Sequence, residues 1–209
     1  MKVAIILVCL FSLSFSAPQA RKIFHEHAED FLDLILDEAG HEISELFDHY
    51  IEFEEFRKSL DYMRTSNFKN LVYEMESLPE FKAVIDFLEN DNIDVLYFID
   101  RLHLMMEDTE YPPIKESRQD LSGRDMSAYI NDCVAVFPKE KLTVLYEQKI
   151  AEDEEFKVAM DNLMSDEWNQ IWAALWENET FLEEAKILSE NGIDLSALLL
   201  ELKAVFGQF

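Results

Sequence analysis

Phe68, Leu71, Val72 and Met75 fall at i, i+3, i+4 and i+7, the spacing that gathers apolar side chains on one face of an α-helix. Phe81, Val84, Ile85 and Leu88 repeat that spacing, and so do Trp168, Ile171, Trp172 and Leu175. Phe56, Leu60 and Met63 make a weaker stripe, with Ser59 in its gap. Each stripe covers about two turns, so the helices are short and need one another to be stable in water. Val95-Leu96-Tyr97-Phe98-Ile99, and Leu195 with Leu198-Leu199-Leu200, are apolar nearly all round. That pattern predicts central, fully buried helices. Nothing alternates with period two over a useful length, so strands are not expected.

The pattern occurs twice. Glu54-Glu55-Phe56 recurs as Glu154-Glu155-Phe156, one hundred positions on, and the register then holds without a gap. Leu60 matches Met160, Phe68 matches Trp168, Leu71 matches Ile171 and Met75 matches Leu175. Phe81 matches Phe181, Leu88 matches Leu188, and Ile93-Asp94 matches Ile193-Asp194. Upstream the register slips, pairing Ile43, Leu46 and Ile51 with Leu142, Leu145 and Ile150, and more loosely Leu32 with Ile130. The breaks agree as well. Ser77-Leu78-Pro79-Glu80 reads as a capping box with Pro in the first turn, and Asn178 supplies the N-cap of the second copy. Asn92 and Gly192 best tolerate a left-handed backbone, so a helix is expected to end at each, with Asp94 or Asp194 capping the next. The first copy is placed at about 25–106 and the second at about 124–209. A connector at 107–123 carries Pro112-Pro113 and Gly123.

The start of the chain has a different character. Lys2 precedes the apolar run from Val3 to Phe11, which is too short to span a bilayer. Ser14 and Ser16 supply small residues at positions −3 and −1 of a cleavage site before Ala17. Residues 1–16 are therefore read as a signal peptide and 17–209 as a single helical domain. Cys9 leaves with the leader, so Cys133 stands alone and no disulfide framework is available. Either a buried, inert thiol or an intermolecular pair fits Cys133. The mature chain is expected to be a soluble monomer. Over the full sequence 18 Lys and Arg stand against 44 Asp and Glu, a balance that repels nucleic acid and anionic membranes.

Catalytic signatures are sparse. His41-Glu42 is followed by Glu45 rather than a second His, so the zinc-protease helix pattern fails. His25-Glu26-His27 lies near the expected mature N-terminus and reads as a surface pair, with no metal site assigned. No Gly-flanked Ser nucleophile, phosphate loop or Cys-His pairing is apparent. No enzyme activity and no cofactor are expected. Asn178-Glu179-Thr180 is an N-x-[ST] acceptor, and either a glycan or a plain N-cap fits Asn178.

Taken together, several segments resemble the insect allergen-related repeat proteins, which include cockroach midgut allergens, midgut microvillar proteins of blood-feeding flies and butterfly nitrile-specifier proteins. The resemblance rests on Asp30-Phe31-Leu32-Asp33-Leu34-Ile35, on Phe56 with Leu60-Asp61-Tyr62-Met63, and on Ser66-Asn67-Phe68-Lys69-Asn70-Leu71. It continues through Met75-Glu76-Ser77-Leu78-Pro79-Glu80-Phe81 and the Asn92-Ile93-Asp94 close with Leu102. It implies an all-α fold in which two tandem copies form one capsule-like domain around an apolar cavity. It also implies secretion into the insect midgut lumen or to a microvillar surface, and fatty acid or phospholipid as bound ligand. The second copy departs from the family pattern where Leu78-Pro79-Glu80 becomes Asn178-Glu179-Thr180, and where Trp168, Trp172 and Trp176 enlarge one helix.

Periodicity alone permits either a solid core or a ligand-filled one. The residues expected to line a cavity are Phe68, Leu71, Val72, Met75, Phe81, Ile85, Trp168, Ile171, Trp172, Leu175, Phe181 and Leu188. The expected partners are lipids or other small hydrophobic molecules, with transient membrane contact during exchange. The alternatives are an interaction protein with a solid helical core and a nitrile-specifier-like detoxification protein.

Overall fold

The computed structural model describes residues 23–98 and 121–207. The expected leader at 1–16 and most of the connector at 107–123 lie outside them. Every regular element among the described residues is a helix, and the chain is all-α. The first copy contributes α1 (Phe24–Tyr50), α2 (Glu54–Met63), α3 (Ser66–Ser77) and α4 (Pro79–Asn90), with a further helical stretch opening at 95–98. The second contributes α5 (Met126–Val136), α6 (Lys139–Glu152), α7 (Glu154–Asn162), α8 (Asp166–Glu177), α9 (Glu179–Glu190) and α10 (Leu195–Val205).

The hundred-residue register sets α2 against α7, α3 against α8 and α4 against α9. Above that point the copies differ. A single 27-residue α1 stands opposite two helices, because Pro138 has no N–H to continue α5 and instead begins α6 as its N-cap. The upstream slip in register reflects this break.

The helix ends agree between copies. Ile93 N–H donates to Leu88 O at 2.9 Å and Asn92 N–H to Glu89 O at 3.1 Å, with Asn92 at φ 59°. Ile193 donates to Leu188 O at 2.9 Å and Gly192 to Ser189 O at 2.9 Å, with Gly192 at φ 80°. This double bond pattern closes a helix through a left-handed residue, as expected of Asn and Gly. Gly192 serves a second need, since a Cβ there would stand 2.3 Å from Ser59 Oγ on α2.

The capping box expected at Ser77 does not form. Pro79 disfavours helical geometry at the preceding residue, so Leu78 is extended (ψ 137°) and becomes the N-cap. The Ser77 hydroxyl donates back to Glu74 O at 2.7 Å. In the second copy Asn178 accepts from Phe181 N–H at 2.9 Å, at the position matching Leu78 rather than Ser77.

Two hydrophobic cores result. The first gathers α1, α2, α5, α6, α7 and α10 around Phe31, Ile35, Tyr50 and Phe56, all 0% exposed. The second gathers α3, α4, α8 and α9 around Phe68, Leu71, Met75, Val84, Leu175, Phe181, Leu188 and Ile193. Helix α10 is not the fully buried element its composition suggests. It buries Glu201, Ala204 and Val205 and leaves Leu200 and Leu202 exposed, and Leu96 is likewise exposed. Polar contacts tie the copies reciprocally. Asn162 Nδ2 on α7 donates to Asp91 Oδ1 after α4 at 2.7 Å, and Lys58 Nζ on α2 donates to Glu190 O at the end of α9 at 2.7 Å.

Candidate ligand-binding site

The second core is a closed ring in which α3 packs on α4, α4 on α8, α8 on α9 and α9 back on α3. Each of these helices has 12 residues. A hydroxyl opens one helix in each copy: Thr65 Oγ1 accepts from Phe68 N–H at 3.2 Å, and Ser165 Oγ from Trp168 N–H at 3.1 Å. These caps set the first ring of each stripe at the same height in its helix.

Aromatic rings run down α8. Phe87 meets Trp168 with centroids 5.4 Å apart, Trp168 stacks on Trp172 at 5.4 Å, and Trp172 meets Trp176 at 6.1 Å. Trp176 then meets Phe181 edge-on at 5.2 Å. All three indoles pack on the core yet stay half-buried. The Trp176 Nε1–H is itself fully covered and has no acceptor. Leaving such a donor unmatched costs about 1–3 kcal/mol.

The polar rim is acidic. Asn178 Nδ2 donates to Glu80 Oε2 at 2.9 Å, joining α9 of one copy to α4 of the other. Glu184 is held above the ordinary carboxyl range, first by burial, then by its hydrogen bond with Glu74 and the charges of Glu74 and Glu183. Burial, and then the charge of Glu184, raises the Tyr62 phenol.

Eleven of the twelve residues expected to line a cavity belong to this core: Phe68, Leu71, Val72, Met75, Phe81, Trp168, Ile171, Trp172, Leu175, Phe181 and Leu188. The twelfth, Ile85, is half-buried and is not part of it. It sits about 100° round α4 from Val84, which takes the buried place. Sequence reasoning left out Val84, Trp176 and Ile193. Trp176 extends the Trp168-Trp172 spacing by one more turn, a signal that was available. The copies therefore contribute to one shared apolar centre.

A family model described as insect allergen related repeat, nitrile-specifier detoxification, matches residues 24–199. The chain belongs to the insect allergen-related repeat family. Comparison with curated proteins gave no match. Within this allergen-related repeat chain, the matched span covers α1 to α9 and enters α10, so it includes the whole second core.

The histidines near the start of α1 are not a surface pair. His25 bonds the Asp94 carboxylate through its backbone N–H (3.0 Å) and its ring, and stacks on Tyr97 at 4.2 Å. His27 is 5% exposed. Its Nε2 faces Asp153 Oδ2 at 3.2 Å and its Nδ1 faces the Lys149 ammonium at 3.2 Å, while Lys149 also pairs with Asp30. The end of the first copy covers His25 and the second copy covers His27, where fraying was expected. Among the described residues no group of three or more His, Cys, Asp or Glu side chains is arranged to hold a metal ion. Cys133 is buried, and desolvation pushes its thiol up to about 12, which suppresses the nucleophilic thiolate.

Proposed function

We propose that this protein is an exported, non-enzymatic carrier of hydrophobic ligands of the fatty acid or phospholipid class, held among α3, α4, α8 and α9. The observation that carries the reading is the aromatic ladder. Trp168, Ile171, Trp172 and Trp176 pack on the second core but retain uncovered surface. An acyl chain laid along them removes that surface from water at about 0.8 kcal/mol per methylene. Family membership supports the reading, and the reciprocal contacts between the copies support two unequal halves of one capsule-like container. The apolar run at residues 3–11, with the small residues before Ala17, supports secretion. The family supports the midgut lumen or microvillar surface as destination. The net charge of −26 supports a monomer that avoids nucleic acid and anionic lipid. Lipid exchange would then proceed by brief opening against neutral membranes.

The test is organic extraction of purified protein followed by mass spectrometry, then re-lipidation and leakage assays on neutral phosphatidylcholine vesicles. The carrier reading expects retained acyl lipid and uptake by delipidated protein. No retained lipid together with no uptake would leave the solid-core interaction protein in its place. The words nitrile-specifier detoxification in the family description favour a second reading. Nitrile-specifier proteins of the family act on products of a plant enzyme, and a change of those products toward the nitrile when the chain is added would establish it.

A further inference from the structure

We propose that the Trp176 indole N–H is the head-group contact of the bound ligand, which makes the preferred ligand an acyl chain ending in an uncharged carbonyl such as an ester. The inference rests on the carrier reading above and names the ligand chemistry that reading leaves open. Trp176 Nε1 is fully covered by the chain's own atoms and meets no oxygen or nitrogen acceptor, and its ring is held between Trp172 and Phe181, so a ligand carbonyl reaches it by parting these rings. A buried donor is normally matched by protein, water or ligand. The matching position in the first copy is Glu76, so this donor belongs to one half of the ring only. A hydrocarbon would cover the ladder and leave the donor unmatched. An ionised carboxylate would need more than one neutral donor to offset its loss of water; the rim groups held in contact, Glu74, Glu80 and Glu184, are acids, while Lys82 and Lys186 of the same helices are exposed. A neutral carbonyl oxygen satisfies the indole without that cost.

The experiment compares methyl palmitate with hexadecane on delipidated protein. Trp176→Phe keeps a ring at the position and removes the donor. The smaller ring costs both probes the same apolar contact, so the variant should weaken methyl palmitate binding about three- to tenfold more than hexadecane binding, the worth of one hydrogen bond. A second readout does not depend on that variant folding. The chain has 3 Trp, so its indole N–H spectrum holds few signals, which Trp168→Phe and Trp172→Phe assign by elimination. The Trp176 signal should move downfield with methyl palmitate and not with hexadecane. Equal weakening for both probes, or a signal that responds alike to both, overturns the proposal while the carrier reading stands. If the wild-type protein takes up neither probe, both fall together.

Discussion

The two cores are built from the same kinds of residue and close to different degrees. The first is organised by α1, whose 27 residues carry an unbroken buried face from Phe24 to Tyr50. Against it the rings of Phe47, Tyr50, Phe56 and Tyr129 interlock, with Phe56 and Tyr129 centroids 5.1 Å apart, and several side chains reach 0% exposure. The second core has four 12-residue helices and no long one, and its most buried side chain, Leu175, is 2% exposed. Two-turn stripes arranged in a ring bring few side chains to a common centre, and large indoles fill the ring only in part. Helix length, more than hydrophobicity, separates the tightly closed core from the looser one, and the proposed carrier role depends on that looseness.

Truncation in each core tests this most strongly. Phe56→Ala removes a 0% exposed ring and should cost about 3–5 kcal/mol in denaturant unfolding. Trp172→Ala, on a half-buried ring of the second core, should cost no more than about 2 kcal/mol in delipidated protein, because the penalty follows how tightly the site was filled. It should nevertheless lower lipid retention strongly. Equal costs in the two cores would show the second to be as solid as the first.

The first core also holds a charge problem. Glu201 on α10 is 8% exposed, and desolvation raises its carboxyl from 4.5 to about 8; the same burial places it near Cys133 on α5. Unfolded Glu201 ionises near 4.5 while the folded group keeps its proton. The folded state thus binds the extra proton between those values. The group's contribution is most favourable below 4.5 and declines as pH rises toward about 8, by on the order of 5 kcal/mol. Glu201→Gln should match the wild type at pH 4 and become progressively more stable than it up to pH 8, read from urea midpoints. Parallel curves across that range would mean that Glu201 finds relief from desolvation on ionising.

The elements around the second core were legible because each signal was local. Stripes of two turns, Pro79 opening α4, Asn178 before α9 and left-handed residues at Asn92 and Gly192 mark these helices, while the hydroxyl caps Thr65 and Ser165 were an equally local signal left unread. What failed depended on neighbours. The Ser77 box lost to the restriction Pro79 places on Leu78. His27 was taken for an exposed residue because Lys149 and Asp153, which cover it, are over a hundred positions away. Asp194 caps Ser196 N–H at 2.7 Å, whereas Asp94 is drawn to His25 and Leu96 N–H turns to Glu89 Oε1 at 3.1 Å. Helix α10 is apolar on so many sides that composition could not say which face turns inward. The unmatched donor of Trp176 had no signature in the sequence, since it depends on which atoms surround it.

The smallest expected effect lies at the rim where the copies meet. Asn178 does two things at once, capping α9 through Oδ1 and donating to Glu80 through Nδ2. Asn178→Ala removes both and should cost about 1 kcal/mol, most of it the cap. Asn178→Asp keeps the capping oxygen but sets a second carboxylate against Glu80. It should fall between wild type and Asn178→Ala at pH 7 and approach wild type at pH 4, where the carboxylates take up protons. If Asn178→Asp matches Asn178→Ala at both values, the link to Glu80 outweighs the cap. Thr180→Ala, at an exposed position in the first turn of α9, removes the acceptor sequence without touching either bond. A fall in mass of the exported protein on that change alone would place a glycan on Asn178, and with it a bulky group on a side chain that joins the halves of the ring.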